Sequence, residues 1–231
     1  MQENSAGFCK RNNFIVQLFI VLSLDHVFIL VSPSAPEADA LLDIGLLEGS
    51  SNEHPGQGTS NRRFFMANTT LELLFINNIA EAVNGAGKKL QLVERAIDAE
   101  ASPFGLVTRS TQPDVLPAFS HWRYQPDYFP APMRFLVGKN SNNFAEPLCI
   151  CMPPELPMPS KAPRPSNTEW YLTRVDISIP GSKSSPVLNA FSCDGFVQVQ
   201  HNKDHHMHLV FNDAKTASKH FFPEMQLSIE Y

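Results

Sequence analysis

Prolines constrain this chain more than any other feature. There are 19 among 231 residues, and they crowd into two stretches. Pro113, Pro117, Pro126, Pro130 and Pro132 share one with Phe119, Trp122, Tyr124, Tyr128 and Phe129. Pro153, Pro154, Pro157, Pro159, Pro163 and Pro165 share the other. Proline fixes φ and has no N–H to donate, so neither stretch can be a helix or a central strand. The first reads as an irregular aromatic loop and the second as an extended connector. Short runs of β-branched and aromatic residues remain, which require a β-rich fold of small pieces.

Those pieces come in a recurring order. Val27–Val31 reads as a buried strand stopped by Ser32-Pro33. A helix over Pro36–Leu42 follows, with Ser34 as its cap and Gly45 after its end. Residues 48–60 are rich in Gly, Ser and Asn and read as loop plus a short strand. Arg63–Met66 and Thr70–Ile76 are strands joined by a turn at Asn68-Thr69. That sequence is β-α-β-β-β. Further strands are expected at Phe104–Arg109, Met133–Val137 and Pro147–Met152. The last third holds strands at Trp170–Ile179, Gly195–Gln200, His206–Phe211 and Met225–Tyr231, with a helical turn or two at Pro186–Phe191. The expected class is α+β: repeated βαβββ modules whose mixed sheets curl into a cup. The divisions are 1–22 as an extension, 23–77 as the first module, 78–152 as a helix-poor second, 153–169 as connector and 170–231 as a degenerate third.

Bulk properties narrow the partners. Hydrophobic residues make up 43% and charged residues 18%, enough for a packed core. The net charge is −5, and no run of Lys and Arg exceeds the pairs Arg62-Arg63 and Lys88-Lys89, which excludes a nucleic-acid footprint. Cys149 and Cys151 alternate in an apolar run, and with Cys9 and Cys193 they lack the spacing of a zinc site. They read as buried free thiols in a reduced, cytoplasmic protein. Phe14–Leu22 after Lys10-Arg11 has the look of a signal-peptide core but is too short to span a membrane. No small-residue cleavage pattern follows it. It reads as an extension or added strand, with a signal or anchor as the alternative.

Three segments carry a resemblance. Leu24–Val31 opens L-D-H-V, His54–Asn61 reads H-P-G-Q-G-T-S-N, and Leu71-Glu72-Leu73 closes the first module. Together they resemble the glyoxalase-like proteins of the vicinal oxygen chelate superfamily, over residues 24–76 most clearly. The resemblance implies paired modules forming a cup, with His26 and Glu72 as divalent-metal ligands. It also implies proton transfer by Glu72 or His54, and ligand contacts from Gln57, Thr59, Asn61 and Arg123. Imidazole and carboxylate suit such a metal. Leu71-Glu72-Leu73 would bury a carboxylate, which is costly without a partner. The second module departs from the pattern, with Phe104 or Gly105 and Leu148–Ile150 where further ligands should stand. In the third, Arg174 falls where His26 does.

Two functions follow from the resemblance. One is an enzyme of lyase, isomerase or dioxygenase type acting on a small oxygenated molecule, with or without a metal. The other is a binding or sequestering protein that turns nothing over. The expected partners are a small-molecule ligand and a second copy of the chain, with neither nucleic acid nor membrane. Each residue also has a plainer role. His26 could be a core histidine, and Glu72 could pair with Arg62 or Arg63. Gly56 and Gly58 could simply permit positive φ. The aromatic loop could be a lid or a plug. His201, His205, His206 and His208 flank the turn at Asn202–Asp204 and read as solvated. No G-x-S-x-G is present, so a serine nucleophile of that kind is excluded.

Overall fold

A computed structural model describes residues 22–110, 117–153, 155–156, 166–192 and 195–231. Cys9, Cys193, most of the Phe14–Leu22 run and most of the proline connector lie outside the described residues. The fold is α+β with few helices: a curled mixed sheet forming a half-barrel, backed by a second sheet.

The first sheet contains eight strands. They are β1 (Leu22–Leu30), β2 (Glu53–His54), β3 (Thr59–Phe65), β4 (Thr70–Ile76), β5 (Phe104–Ser110), β6 (His121–Tyr124), β7 (Phe135–Gly138) and β8 (Leu148–Cys151). Their order is β2-β3-β4-β1-β5-β8-β7-β6. The first and last strand of each half pair in parallel, β1 with β4 and β5 with β8, and the halves join antiparallel through β1 and β5. The two halves therefore share one internal order.

The second sheet has the order β10-β9-β11-β13-β12, from β9 (Leu172–Ile179), β10 (Val197–His201), β11 (His206–Phe211), β12 (Lys219–Phe222) and β13 (Leu227–Glu230). Here β9 pairs in parallel with the next strand, β10, and antiparallel with β11.

Alternation assigns the faces, because successive strand residues point to opposite sides. Val27, Ile29, Leu71, Leu73, Phe104, Leu106, Cys149 and Cys151 share one core with Val175, Ile177, Met207 and Leu227 of the second sheet. Phe28, Leu30, Leu74, Val107 and Leu148 face the other way, into the cup, with Leu90, Leu92, Tyr124 and Met152. Cys149 and Cys151 are buried free thiols. Burial pushes the Cys151 thiol up to about 11, so it is uncharged and inert at neutral pH.

Several elements differ from their sequence reading. Helix α1 spans Ala38–Asp43. Ser34 does not cap it: Ser34 and Ala35 have positive φ, and Glu37 sits at the cap position with its carboxylate accepting from Ser32 N–H and not from the helix. Gly45, at φ +90°, does end the turn. Helices α2 (Ile79–Asn84) and α3 (Leu92–Ile97) were not anticipated. The signal for α2 was there, since Asn78 accepts from the Glu81 N–H in a standard cap. β6 lies inside the aromatic stretch read as irregular, and β12 was missed. The last helix, α4, is Pro186–Phe191 as read, with Ser185 capping through Leu188 N–H.

Candidate functional site in the cup

A cavity of about 710 Å³ fills the concave side of the first sheet. One wall is polar, with Asp25, His26, Asn61, Arg63 and Glu72. The other is apolar, with Phe28, Leu74, Val107, Leu148 and Ile150. The polar wall depends on an irregularity. The β1–β5 register shifts between Leu24 and His26, so Asp25 is an extra residue in β1. Such a bulge re-aims side chains, and here consecutive residues Asp25 and His26 both line the cup. Thr69 Oγ1 donates to the Asp25 carbonyl at 3.1 Å.

Charges then link across four strands. Arg109 Nε donates to Asp25 Oδ2 at 2.8 Å, and Arg109 Nη1 donates to the Leu156 carbonyl at 2.7 Å. Asp25 Oδ1 holds His26 Nδ1 at 2.7 Å. His26 Nε2 lies 3.4 Å from Glu72 Oε2. Asn61 Nδ2 donates to Glu72 Oε1 at 2.6 Å. Glu72 therefore pairs with neither Arg62 nor Arg63. Arg62 points to the opposite face, where it meets Glu48 at 2.6 Å and Asp39 at 2.9 Å.

These contacts set the protonation states. Burial by itself lowers the His26 pKa, but the Asp25 hydrogen bond and the charges of Glu72 and Asp25 outweigh it, and the value is raised. For Asp25, burial raises the value, while His26 and Arg109 pull it below the ordinary range. Linkage gives opposite signs. The His26 contribution to stability is complete below its unfolded value of 6.5 and is lost as pH rises through the raised folded value. The Asp25 contribution is present above 3.8 and is lost as pH falls through the depressed value. Stability from this site should therefore peak between those limits. In urea titrations at about pH 5 and about pH 9, His26→Gln should show a smaller difference than the wild type. An unchanged difference would refute this assignment.

The His54–Asn61 segment mixes support and site. Gly56 N–H donates to Glu81 Oε1, and the Gln57 and Gly58 N–H groups donate to the His54 carbonyl. Those amides are used within the fold, so the glycines serve the turn. Gly58, at φ +69°, has no room for a Cβ, which would meet Asn78 O at 2.3 Å. Side chains do reach the cup. His54 and Gln57 line it, while Thr59 lies fully buried behind them, bonded to His54 Nδ1 at 3.0 Å and Gln57 Nε2 at 2.8 Å. Burial lowers the His54 pKa, so its ring is neutral at pH 7.

The aromatic stretch contributes Tyr124, Tyr128 and Phe129 to the cup wall. Tyr124 and Tyr128 both donate to Gln57 Oε1, at 3.1 and 3.2 Å. Arg123, one residue from Tyr124, is exposed and lies outside the lining, because alternation turns it away. The arginines in the cup lining are Arg63 and Arg109, with Asp25 beside them. Asp25 was legible in L-D-H-V, but the bulge that aims it was not.

In the facing half, the positions that correspond to His26 and Glu72 carry no metal-binding side chain. Gly105 is the Cα partner of Phe28, whose ring covers it: a Cβ there would lie 1.9 Å from the ring. Gly105→Ala must therefore push Phe28 into the cup. We expect a loss of about 1–3 kcal/mol in thermal unfolding, with weaker binding of any cup ligand. Unchanged values for both would refute the packing account.

His26 Nε2 and Glu72 Oε2 are close enough to share an ion, yet a catalytic divalent site takes three or more protein donors. Among the described residues no group of three His, Cys, Asp or Glu converges. Asp25 is committed to His26 and Arg109. The residues present are half of a metal site and do not fit a resident catalytic metal.

Among the described residues, the histidines around Asn202–Asp204 join no group of three metal-binding side chains. His205 is buried, its Nε2 3.1 Å from the Glu100 carbonyl, unlike the solvated turn residue expected. His208 lies between Asp176 and Glu230, at 3.4 and 3.0 Å.

No family model matches the chain, and no curated protein sequence matches it. Solved structures do. A hypothetical protein from Staphylococcus aureus superposes with a TM-score of 0.52 at 10% identity, over 91% of this chain and 99% of that one. A mutant of 4-hydroxymandelate synthase from Streptomyces coelicolor gives a TM-score of 0.48 at 11% identity, over 83% and 71%. The first is a likeness of fold. Among the described residues, no helix is long and apolar enough to cross a membrane.

Proposed function

We propose that this protein takes a small carbonyl- or carboxylate-bearing molecule into the cup and that His26 and Glu72 move a proton on it. The observation that carries the reading is the 3.4 Å approach of His26 Nε2 to Glu72 Oε2, with each group held from behind. Asp25 fixes the ring and favours its charged form. Protonated His26 donates from Nδ1 to Asp25 and has Nε2–H to offer a substrate oxygen. Asn61 holds one Glu72 oxygen, leaving the other to accept a proton from the neighbouring carbon or hydroxyl. The apolar wall keeps water from the reacting atoms. Neutral His54 is the next group along the rim that can exchange protons.

A second reading is binding without turnover. It is favoured by the facing positions Gly105, Val107, Leu148 and Ile150, which bring no reactive group to the ligand. A thermal-shift screen of small carbonyl and carboxylate compounds, followed by NMR in D₂O on each hit, separates the two. Deuterium entering beside the carbonyl, and lost in Glu72→Gln, supports proton transfer. Binding without exchange supports sequestration. No hit at all would refute both. Stoichiometric metal in the purified protein that disappears in His26→Ala would show that a metal completes the site.

A further inference from the structure

We infer that Arg63 is the specificity-determining residue of the cup and that the molecule it selects is a monocarboxylate with an apolar tail. This rests on the cup being the ligand site. Along β3, Asn61, Arg63 and Phe65 face the cavity, while the Arg62 side chain turns to the other side. The adjacent arginines differ in what they meet. Arg62 forks onto the Glu48 carboxylate and also reaches Asp39. Arg63 donates to neutral acceptors: the Ser50 carbonyl at 2.7 Å, Ser50 Oγ at 3.1 Å and Asn52 Oδ1 at 3.1 Å. These use Nε and Nη2 and leave Nη1 to donate.

The other cup-lining arginine, Arg109, is committed to Asp25. Among the described residues no carboxylate lies within ion-pair distance of Arg63, although Glu72 is its Cα partner on β4. Glu72 is turned instead to Asn61 and His26. Burial lowers the Arg63 pKa and the Glu72 charge opposes that shift, so a partly desolvated cation faces the cavity. Its guanidinium sits 4.9 Å from the centre of the Phe65 ring, which limits its freedom before any ligand arrives. A planar guanidinium held in place selects a carboxylate.

The anchor is also wired to the reactive pair. Asn52, which accepts from Arg63, donates its N–H to Asn61 Oδ1 at 2.7 Å, and Asn61 holds Glu72. A carboxylate on Arg63 thus sets its neighbouring carbon beside His26 and Glu72. On the strands beyond His26, the lining residues Val107, Leu148 and Ile150 offer nothing that a polar tail could use.

The test uses the full chain with 4-phenylbutanoate and its neutral counterpart 4-phenylbutanamide, read by calorimetry. The acid should bind wild type about tenfold or more tightly than the amide, and this preference should shrink with added salt. Arg63→Gln should remove the preference by weakening the acid and sparing the amide, and Arg63→Lys should restore part of it. Equal binding of acid and amide, or a preference that survives Arg63→Gln, overturns the role of Arg63 while leaving the cup as a ligand site. Failure of both compounds to bind wild type overturns the tail assignment, and the broader carbonyl screen then decides whether the cup binds anything.

Discussion

Arg95→Ala should cost about 3–4 kcal/mol of folding stability, the largest loss expected from any single side chain here. Arg95 lies on α3 and is 2% exposed. Its guanidinium donates to the Glu146 carbonyl at 2.9 Å and the Ser141 carbonyl at 3.0 Å. Longer contacts reach the carbonyls of Asn143, Ser102 and Phe144. These acceptors lie mostly in the irregular stretch between β7 and β8, which has no ladder to satisfy them. Removing the fork orphans several buried carbonyls at once and leaves a cavity.

Burial brings the Arg95 pKa down to about 10, so the cation persists at neutral pH without a carboxylate bonded to it. The same stretch holds Glu146, which accepts from Ser185 N–H at 2.6 Å and Ser185 Oγ at 2.7 Å, docking α4 against the second half of the first sheet. Arg95 thus supports the joint between the two sheets. Urea denaturation measures the effect. Arg95→Lys should recover less than half of it, because an ammonium cannot reproduce a planar fork. A loss below about 1 kcal/mol for Arg95→Ala would sink this account.

Asp25→Ala should act on both stability and chemistry. It strands Arg109, which is buried, and removes the group that orients and charges His26. We expect a loss of about 3 kcal/mol and a fall of about a hundredfold or more in solvent-proton exchange on a bound carbonyl ligand. The two effects are separable. Arg109→Met with Asp25 intact should lower stability less than Asp25→Ala, since Asp25 is part-exposed and retains His26. It should preserve most of the exchange. Equal loss of exchange in both variants would make Arg109 the orienting group instead of Asp25.

Local sequence carried a good deal of this molecule. The strand at Thr70–Ile76, the alternating strand at His206–Phe211 and the helical turns at Pro186–Phe191 are encoded by neighbours in the chain, and the structure has those elements at those residues. L-D-H-V and L-E-L singled out His26 and Glu72 through the family resemblance, and for Glu72 the cost of burying a carboxylate in an apolar strand pointed the same way. Prolines excluded helices from residues 113–132, yet they could not exclude β6 between them, since Phe119–Gln125 contains none.

What tertiary structure decided was pairing. Which of Arg62, Arg63, Arg109 and Arg123 enters the cup depends on face and register. A single extra residue at Asp25 changes both, because side-chain direction has a period of two. Gly105 seemed a missing ligand in sequence, and in the structure it is the floor beneath Phe28. Nothing in the local pattern marks Arg95, since the two carbonyls nearest its guanidinium lie 46 and 51 positions away. The sequence by itself determined a β-rich α+β chain and one half of a polar site. Long-range contacts decided that an arginine, an aspartate bulge and an apolar wall complete the cup, because the free energy of a buried charge depends on what surrounds it in space.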